Sequence, residues 1–306
     1  MNKKIITFFS VLIIIVFIGY IIFDTVRPGG FVQSETEVVD SEPLPDFWEV
    51  SGELEVTNGS LKAVTASPDG RIYLGGDSFI RCYDKDMNLV WDIDSPYPVT
   101  SLSVNGDTLF ASAMELILII SSAGEIIDEW GPFEQNGIFT SITANNSYVA
   151  VADAGNKMIF VLDKRGVVKS IIGQSGESII IPSPYFDVAL DADNMIFLAN
   201  TGNRRVETRT IEGDLVSFFG EPGTAPEAFC GCCNPAHFIV IPQGFATAEK
   251  GINRIKILDE DGEFIEYVSS HNNFLASVPL DLASADGKTI YAANPVDSKL
   301  YIFTRK

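Results

Sequence analysis

Residues 187–220 read DVALDADNMIFLANTGNRRVETRTIEGDLVSFFG, and this stretch is the unit from which most of the chain is built. It holds four short apolar runs, Asp187–Leu190, Met195–Ala199, Arg205–Thr210 and Leu215–Phe219. Between them lie Asp-Ala-Asp-Asn, Asn-Thr-Gly-Asn and Glu-Gly-Asp, the residue types that tight turns demand because they tolerate left-handed backbone or hydrogen-bond their own main chain. The pattern predicts four strands in a meander. One such sheet would leave an apolar face bare to water, so it needs copies of itself to pack against.

Copies are present on both sides. Upstream, Asp153-Ala-Gly-Asn156 is followed by KMIFVLDKRG and VVKSIIG; downstream, Glu249-Lys-Gly-Ile-Asn253 is followed by RIKILDEDG and FIEYV. Weaker copies begin at Ser67, Asn105 and Ala285. Their first turns fall near residues 69, 106, 146, 193, 243 and 286, a spacing that suits the four strands of a propeller blade. The sixth copy runs out after its third strand, YIFTRK, which would leave an open edge. The spare strand Phe47–Val56, FWEVSGELEV, is expected to pair there and close the ring, so that the two ends of the chain fasten one another.

The segments VADAGNKMIFVLDKRGVVKSIIGQSGE and LANTGNRRVETRTIEGDLVSFFGEPG resemble NHL repeats, with their Asp/Asn-x-Gly-Asn-x-Arg/Lys turn, aliphatic strand and Gly turn. The match is good in blades three to five and degraded in one, two and six. The resemblance implies an all-β, six-bladed β-propeller. It implies no particular reaction, because this fold hosts binding modules, lyases and hydrolases alike.

Ahead of the repeats, Ile5–Phe23 is an uncharged apolar run of 19 residues, long enough to span a bilayer as a helix. Lys3 and Lys4 precede it, which puts the N-terminus in the cytoplasm and the remainder outside. No small-x-small cleavage site follows, so an uncleaved anchor is expected over residues 1–23. Residues 24–46 shift to Gly, Pro, Ser and acids, the composition of a solvated tether. Residues 47–306 then form one domain, periplasmic or extracellular.

All 41 acids lie beyond the apolar run, against 19 of the 21 basic residues, a formal charge of −22. Nucleic acid is excluded as a partner, since its affinity comes from Lys and Arg neutralising phosphates.

Three of the four cysteines stand in Phe229-Cys-Gly-Cys-Cys-Asn-Pro-Ala-His237, on the connection from blade four to blade five. Cys82 instead aligns with Ile119, Val161, Thr208, Ile257 and Ile302 and reads as a small buried hydrophobe. In a propeller the blade-to-blade connection shares a face with the turn between second and third strands. Cys230, Cys232, Cys233 and His237 therefore share a face with the turns that carry Asn200, Asn203, Arg204, Glu249, Lys250 and Arg254, and this is the expected binding face. His237 aligns with Leu61, Val99, Phe139, Phe186 and Leu280, an apolar column it would break.

The cluster admits three chemistries. One is a disulfide among Cys230, Cys232 and Cys233 with one thiol left over. Another is a thiophilic metal ion such as zinc or iron held by Cys230, Cys232, Cys233 and His237. The third is a redox thiol whose thiolate is favoured by Lys250 or Arg254. Asp187 and Asp281, near the starts of innermost strands, could also reach the central channel and hold calcium. Hydrolase, phosphate-loop and metalloprotease motifs are absent, and the chain has only two histidines, His237 and His271. The family's peptide-amidating lyase relies on several histidine-bound metal positions that cannot be matched here. The sequence therefore favours a membrane-anchored binding scaffold for a protein or small molecule over a metal- or thiol-dependent redox or lyase-type protein using the same patch.

Overall fold

In a computed structural model of the chain, the described residues are 12–18, 47–174, 179–231, 233–270, 273–274 and 278–306. The chain divides into two units, Met1–Leu44 and Pro45–Lys306. Of the expected anchor, only residues 12–18 are described; they are helical with exposed apolar side chains, and the rest of residues 5–23 and the tether 24–46 lie outside the described residues. No described helix is long and apolar enough to cross a membrane.

The second unit is a ring of six four-stranded antiparallel sheets, a six-bladed β-propeller. Blade one runs Leu61–Ala66, Ile72–Gly76, Phe79–Tyr83 and Leu89–Asp94; blade four runs Val188–Leu190, Ile196–Asn200, Arg205–Arg209 and Leu215–Phe219. Blade five runs His237–Ile241, Gly244–Ala248, Ile255–Leu258 and Phe264–Ser269. Blade six takes Asp281–Ala283, Thr289–Asn294 and Lys299–Arg305 from the C-terminus, and its outermost strand is Trp48–Glu55 from the far end of the domain. That strand pairs antiparallel with Lys299–Arg305 from Trp48 opposite Arg305 to Glu55 opposite Lys299.

Local turn chemistry sets the meander. The aspartates that end third strands accept backbone N–H groups from the following turn: Asp163 from Arg165 and Val167, Asp259 from Asp261 and Glu263. In the second of these turns Gly262 has a φ of +85°, and a Cβ there would come within 2.5 Å of Phe219 on blade four. Glycine is required both for the left-handed backbone and for the close approach of the two blades.

The core lies between blades. Six buried clusters each combine residues of two consecutive blades, as where Tyr73, Ile80 and Cys82 meet Val99, Leu102 and Leu118. Cys82 is fully buried, and burial pushes its thiol pKa up.

At the centre the innermost strands line a channel of about 170 Å³. They are stitched by side-chain acceptors that take a backbone N–H from the next blade. Ser101 accepts from Ile142 (3.2 Å), Ser141 from Val188 (3.2 Å), Asp187 from Phe238 (2.7 Å) and Asp281 from Val64 (2.8 Å). The last bond joins blade six to blade one.

Candidate functional site

In blades three and four the last residue of the second strand holds the link that enters the blade. Asp153 Oδ1 accepts the N–H of Ile138 at 2.9 Å, and Asn200 Oδ1 accepts that of Ile180 at 3.0 Å. In blade five Glu249, the residue just after the second strand, does the same: its Oε2 accepts the N–H of Cys230 at 3.3 Å. Cys230 thus stands where the links into blades three and four carry isoleucine.

The cysteine loop is pinned to the turn of blade five through one side chain. Asn234 Nδ2 donates to the carbonyl oxygens of Cys230 (2.7 Å) and Lys250 (2.9 Å), and lies 3.4 Å from Cys230 Sγ. Asn234 Oδ1 in turn accepts the Lys250 N–H at 2.9 Å. Cys230 Sγ sits 3.7 Å from the Lys250 carbonyl. Cys230 and Cys233 are buried, while Gly231 between them is exposed, with a left-handed φ of +68° and nothing within 4 Å of where a Cβ would stand. The loop is therefore rigid at its ends and open at its tip.

Under it lies a charge cluster. Glu249 Oε1 is 2.6 Å from Arg254 Nε and 3.0 Å from Lys256 Nζ, and all three side chains are almost completely buried. Arg254 Nη2 and Lys256 Nζ both donate to the Ala228 carbonyl, at 2.6 and 2.7 Å, and Lys256 lies 4.4 Å over the Phe229 ring. Two cations share one carboxylate. Burial, reinforced by the charge of Arg254, pushes the Lys256 pKa down to about 8 even though Glu249 opposes the shift. Blade four likewise sets two cations on one carboxylate, with Glu207 taking Arg205, Arg209 and Asn200 on its two oxygens.

Towards the ring axis, His237 places Nδ1 3.5 Å from Asp187 and 3.6 Å from Asp281. Its side chain is only 18% exposed. Burial works against the imidazolium, but the hydrogen bond to Asp187 and the charges of both aspartates outweigh it and raise the His237 pKa. Asp281, desolvated at the channel wall, is pushed up to about 7. Tyr185 links channel and loop: its ring stands edge-on to His237 at 6.5 Å and carries Lys250 Nζ 4.4 Å above it.

The expected face is therefore populated by Asn200, Asn203, Arg204, Glu249, Lys250 and Arg254, with roles that differ from those expected. Asn200, Glu249 and Arg254 are framework: they hold links and each other. Asn203 closes its turn by donating its N–H to the Asn200 carbonyl at 3.0 Å. Arg204 reaches the Gly231 carbonyl at 3.5 Å. The four-ligand set of Cys230, Cys232, Cys233 and His237 is not assembled among the described residues, where no group of three or more His, Cys, Asp or Glu side chains is arranged to hold a metal ion. His237 turns to the channel carboxylates instead, and Cys232 lies outside the described residues. Cys82 and Cys230 carry free thiols.

The apolar column assigned to His237 is also corrected. His237 pairs with Ala248 as Asp281 pairs with Ala293, so it belongs with Asp187, Asp281, Ser101 and Ser141, the polar stitching column, and Ala236 fills the apolar one. Sequence reasoning missed Lys256, Tyr185 and Asn234. Lys256 left a signal: its column holds Leu118 and Phe160 in blades two and three, so a lysine there must bring a partner.

No family model matches the sequence, and no curated protein matches it. Solved structures are similar in fold. Virginiamycin B lyase from Staphylococcus aureus is 16% identical with a TM-score of 0.60, covering 85% of this chain and 100% of its own. The same lyase is known as a catalytically inactive histidine-to-alanine variant with quinupristin, at 16% identity and a TM-score of 0.61. A Bacteroides thetaiotaomicron protein of unknown function is 13% identical with a TM-score of 0.62, covering 83% of this chain and 72% of its own. The WD40 propeller domain of Doa1 is 12% identical with a TM-score of 0.57, over 85% of this chain and 97% of that one. At these identities the likeness establishes the fold alone.

Proposed function

We propose that the chain is a membrane-anchored, extracytoplasmic propeller of NHL type that binds a protein or small-molecule ligand on the face carrying the cysteine loop. The observation that carries this reading is the construction of that loop. Its ends are fixed by Glu249 and Asn234, whereas its tip at Gly231 and the neighbouring turn at Gly251 face open space. A rigid frame with an uncovered rim loses little conformational freedom on binding, which favours affinity. Apolar run, tether and strongly acidic domain fit export and anchoring at a membrane. A photo-crosslinking residue placed at Gly231 of the full-length protein in its own membranes is expected to give a discrete adduct. The same residue at Ala192, on the first turn of blade four and hence the opposite face, is expected to give none; equal yields at both sites would refute the reading.

A second reading is supported by the pairing of His237 with Asp281. A carboxyl group pushed to about 7 beside an imidazole of raised pKa is an acid–base pair poised near neutrality, as proton-transfer chemistry requires. Virginiamycin B lyase, similar in fold, has a catalytically inactive histidine variant. Turnover of a candidate substrate such as quinupristin by the wild type, lost in His237→Ala, would establish this reading over pure binding.

A further inference from the structure

We propose that the ligand face contains an oxyanion site, in which Arg204 and Lys250 take a carboxylate or phosphate group carried by the ligand. The inference rests on the binding-face reading and names the chemistry that the face selects.

With 41 acids to 21 basic residues, a cation in this chain has acids in excess to pair with. Neighbouring cations of blades four and five do so: Arg205 and Arg209 hold Glu207, while Arg254 and Lys256 hold Glu249. Arg204 and Lys250 have no carboxylate partner among the described residues. Arg204 Nη1 reaches the Gly231 carbonyl only at 3.5 Å, the outer limit of a hydrogen bond, and its Nε is buried without an acceptor. A guanidinium is always charged and always a donor, so Arg204 is left under-satisfied, with its exposed Nη end free to gain an acceptor. Lys250 Nζ lies 4.4 Å over the Tyr185 ring and has no hydrogen-bond acceptor among the described residues. On the link bearing Tyr185, the Ser183 hydroxyl is a second buried group without a partner.

These groups are tied to one another through the cysteine loop and the link before blade four. Arg204 leans on Gly231, the Lys250 carbonyl takes Asn234 from the same loop, and Thr201 Oγ1 donates to the Tyr185 carbonyl at 3.4 Å. The buried cluster beneath adds to the field, because its single carboxylate leaves one positive charge unbalanced where solvent screens poorly. Asp187 and Asp281 oppose this at the ring axis, but His237 lies between them and the loop face and its pKa is raised. The result is a positive patch on a domain whose net charge repels anions at long range, so recognition here relies on short-range donors rather than on steering.

The test uses the full-length protein in detergent. Thermal unfolding is followed against inorganic phosphate and, separately, acetate, each compared with sodium chloride at equal ionic strength. A ligand that binds only the folded state raises Tm with its concentration, and weakening its affinity about tenfold removes most of that rise over the same range. The wild type is expected to show a saturable rise with at least one oxyanion. Arg204→Gln and Lys250→Gln are expected to lose it while melting normally in chloride, and Arg165→Gln, on a distant exposed turn, to keep it. A response to acetate alone identifies a carboxylate ligand, a response to phosphate alone a phosphorylated one. No oxyanion response in the wild type, or an equal response in all four proteins, overturns the proposal. Crosslinking at Gly231 with no oxyanion response would leave the binding face standing and remove only this site.

Discussion

Trp48 donates its indole N–H to Glu266 Oε1 at 3.0 Å across 218 positions of sequence, and Arg305 holds the other oxygen of the same carboxylate at 3.0 Å. One buried glutamate of blade five therefore secures both the first and the last strand of the domain. Ring closure depends on this clasp as well as on the backbone ladder between those strands. A chain lacking residues 1–44 should melt like the full-length protein, whereas one lacking residues 1–58 exposes the edge of Lys299–Arg305 and should aggregate or fail to fold. Trp48→Phe keeps the packing but strips one acceptor of its donor, and should cost about 1 to 3 kcal/mol in urea denaturation. Equal melting of the two shortened chains would show that the closing strand is dispensable.

Cys82 offers a test of core against chemistry. It is fully buried between blades one and two with its thiol pKa raised by burial, so it should resist alkylation in the folded protein. Cys82→Ser puts a hydroxyl among apolar neighbours and should cost about 1 to 3 kcal/mol, while Cys82→Val should be close to neutral. Rapid labelling of Cys82 in native protein would contradict the packing.

The cluster under the cysteine loop predicts an asymmetry. Glu249→Gln leaves Arg254 and Lys256 buried together without an anion and should cost about 3 to 5 kcal/mol, the usual penalty for breaking a buried pair. Lys256→Met removes the surplus cation and should cost far less. The pH dependence should differ as well. The ordinary lysine pKa is 10.5 and that of folded Lys256 about 8, so between these values the unfolded chain binds the proton that the folded one releases. This group alone makes stability rise with pH across that window. The wild type should therefore gain stability relative to Lys256→Met between pH 8 and 10.5, and parallel curves would count against the burial of a charged lysine.

The blades could be read from the sequence because their turns are local: Asp163 and Asp259 each bond N–H groups two and four residues on, so the pattern repeats in the text of the chain. The channel site was harder to read. The innermost strands of blades one to three carry a register shift, at Leu61/Ala63, Val99/Ser101 and Phe139/Ser141, and that of blade five carries none. A bulge adds a residue with no side-chain signature, so counting along aligned strands displaced His237 by one position, which on a strand means the opposite face. The partners of Lys256 were hidden for another reason. Glu249 directly follows the neighbouring strand, but the Ala228 carbonyl belongs to a link whose path only the folded ring defines.

The channel end gives the last prediction. Asp281 has a carboxyl pKa of about 7 against an ordinary 3.8, because burial penalises its charge more than His237 and the Val64 and Leu282 N–H groups favour it. Between these values the folded chain holds a proton that the unfolded chain has lost, so this group makes stability fall as pH rises from about 4 to 7. His237 acts in the same sense higher up: with a folded pKa above 6.5, its contribution is complete below 6.5 and is lost as pH climbs through the raised value. Asp281→Asn keeps an oxygen that can accept the Val64 N–H, 2.8 Å away in the wild type, and removes the titration. Urea denaturation at pH 5 and pH 7.5 should show a smaller loss of stability in Asp281→Asn than in the wild type. His237→Gln should retain the Asp281 step and displace it upward, since the neighbouring positive charge that favours the carboxylate would be gone. If Asp281→Asn and the wild type lose the same stability over this range, Asp281 is ionised throughout, and the acid–base pairing at the channel end falls with it.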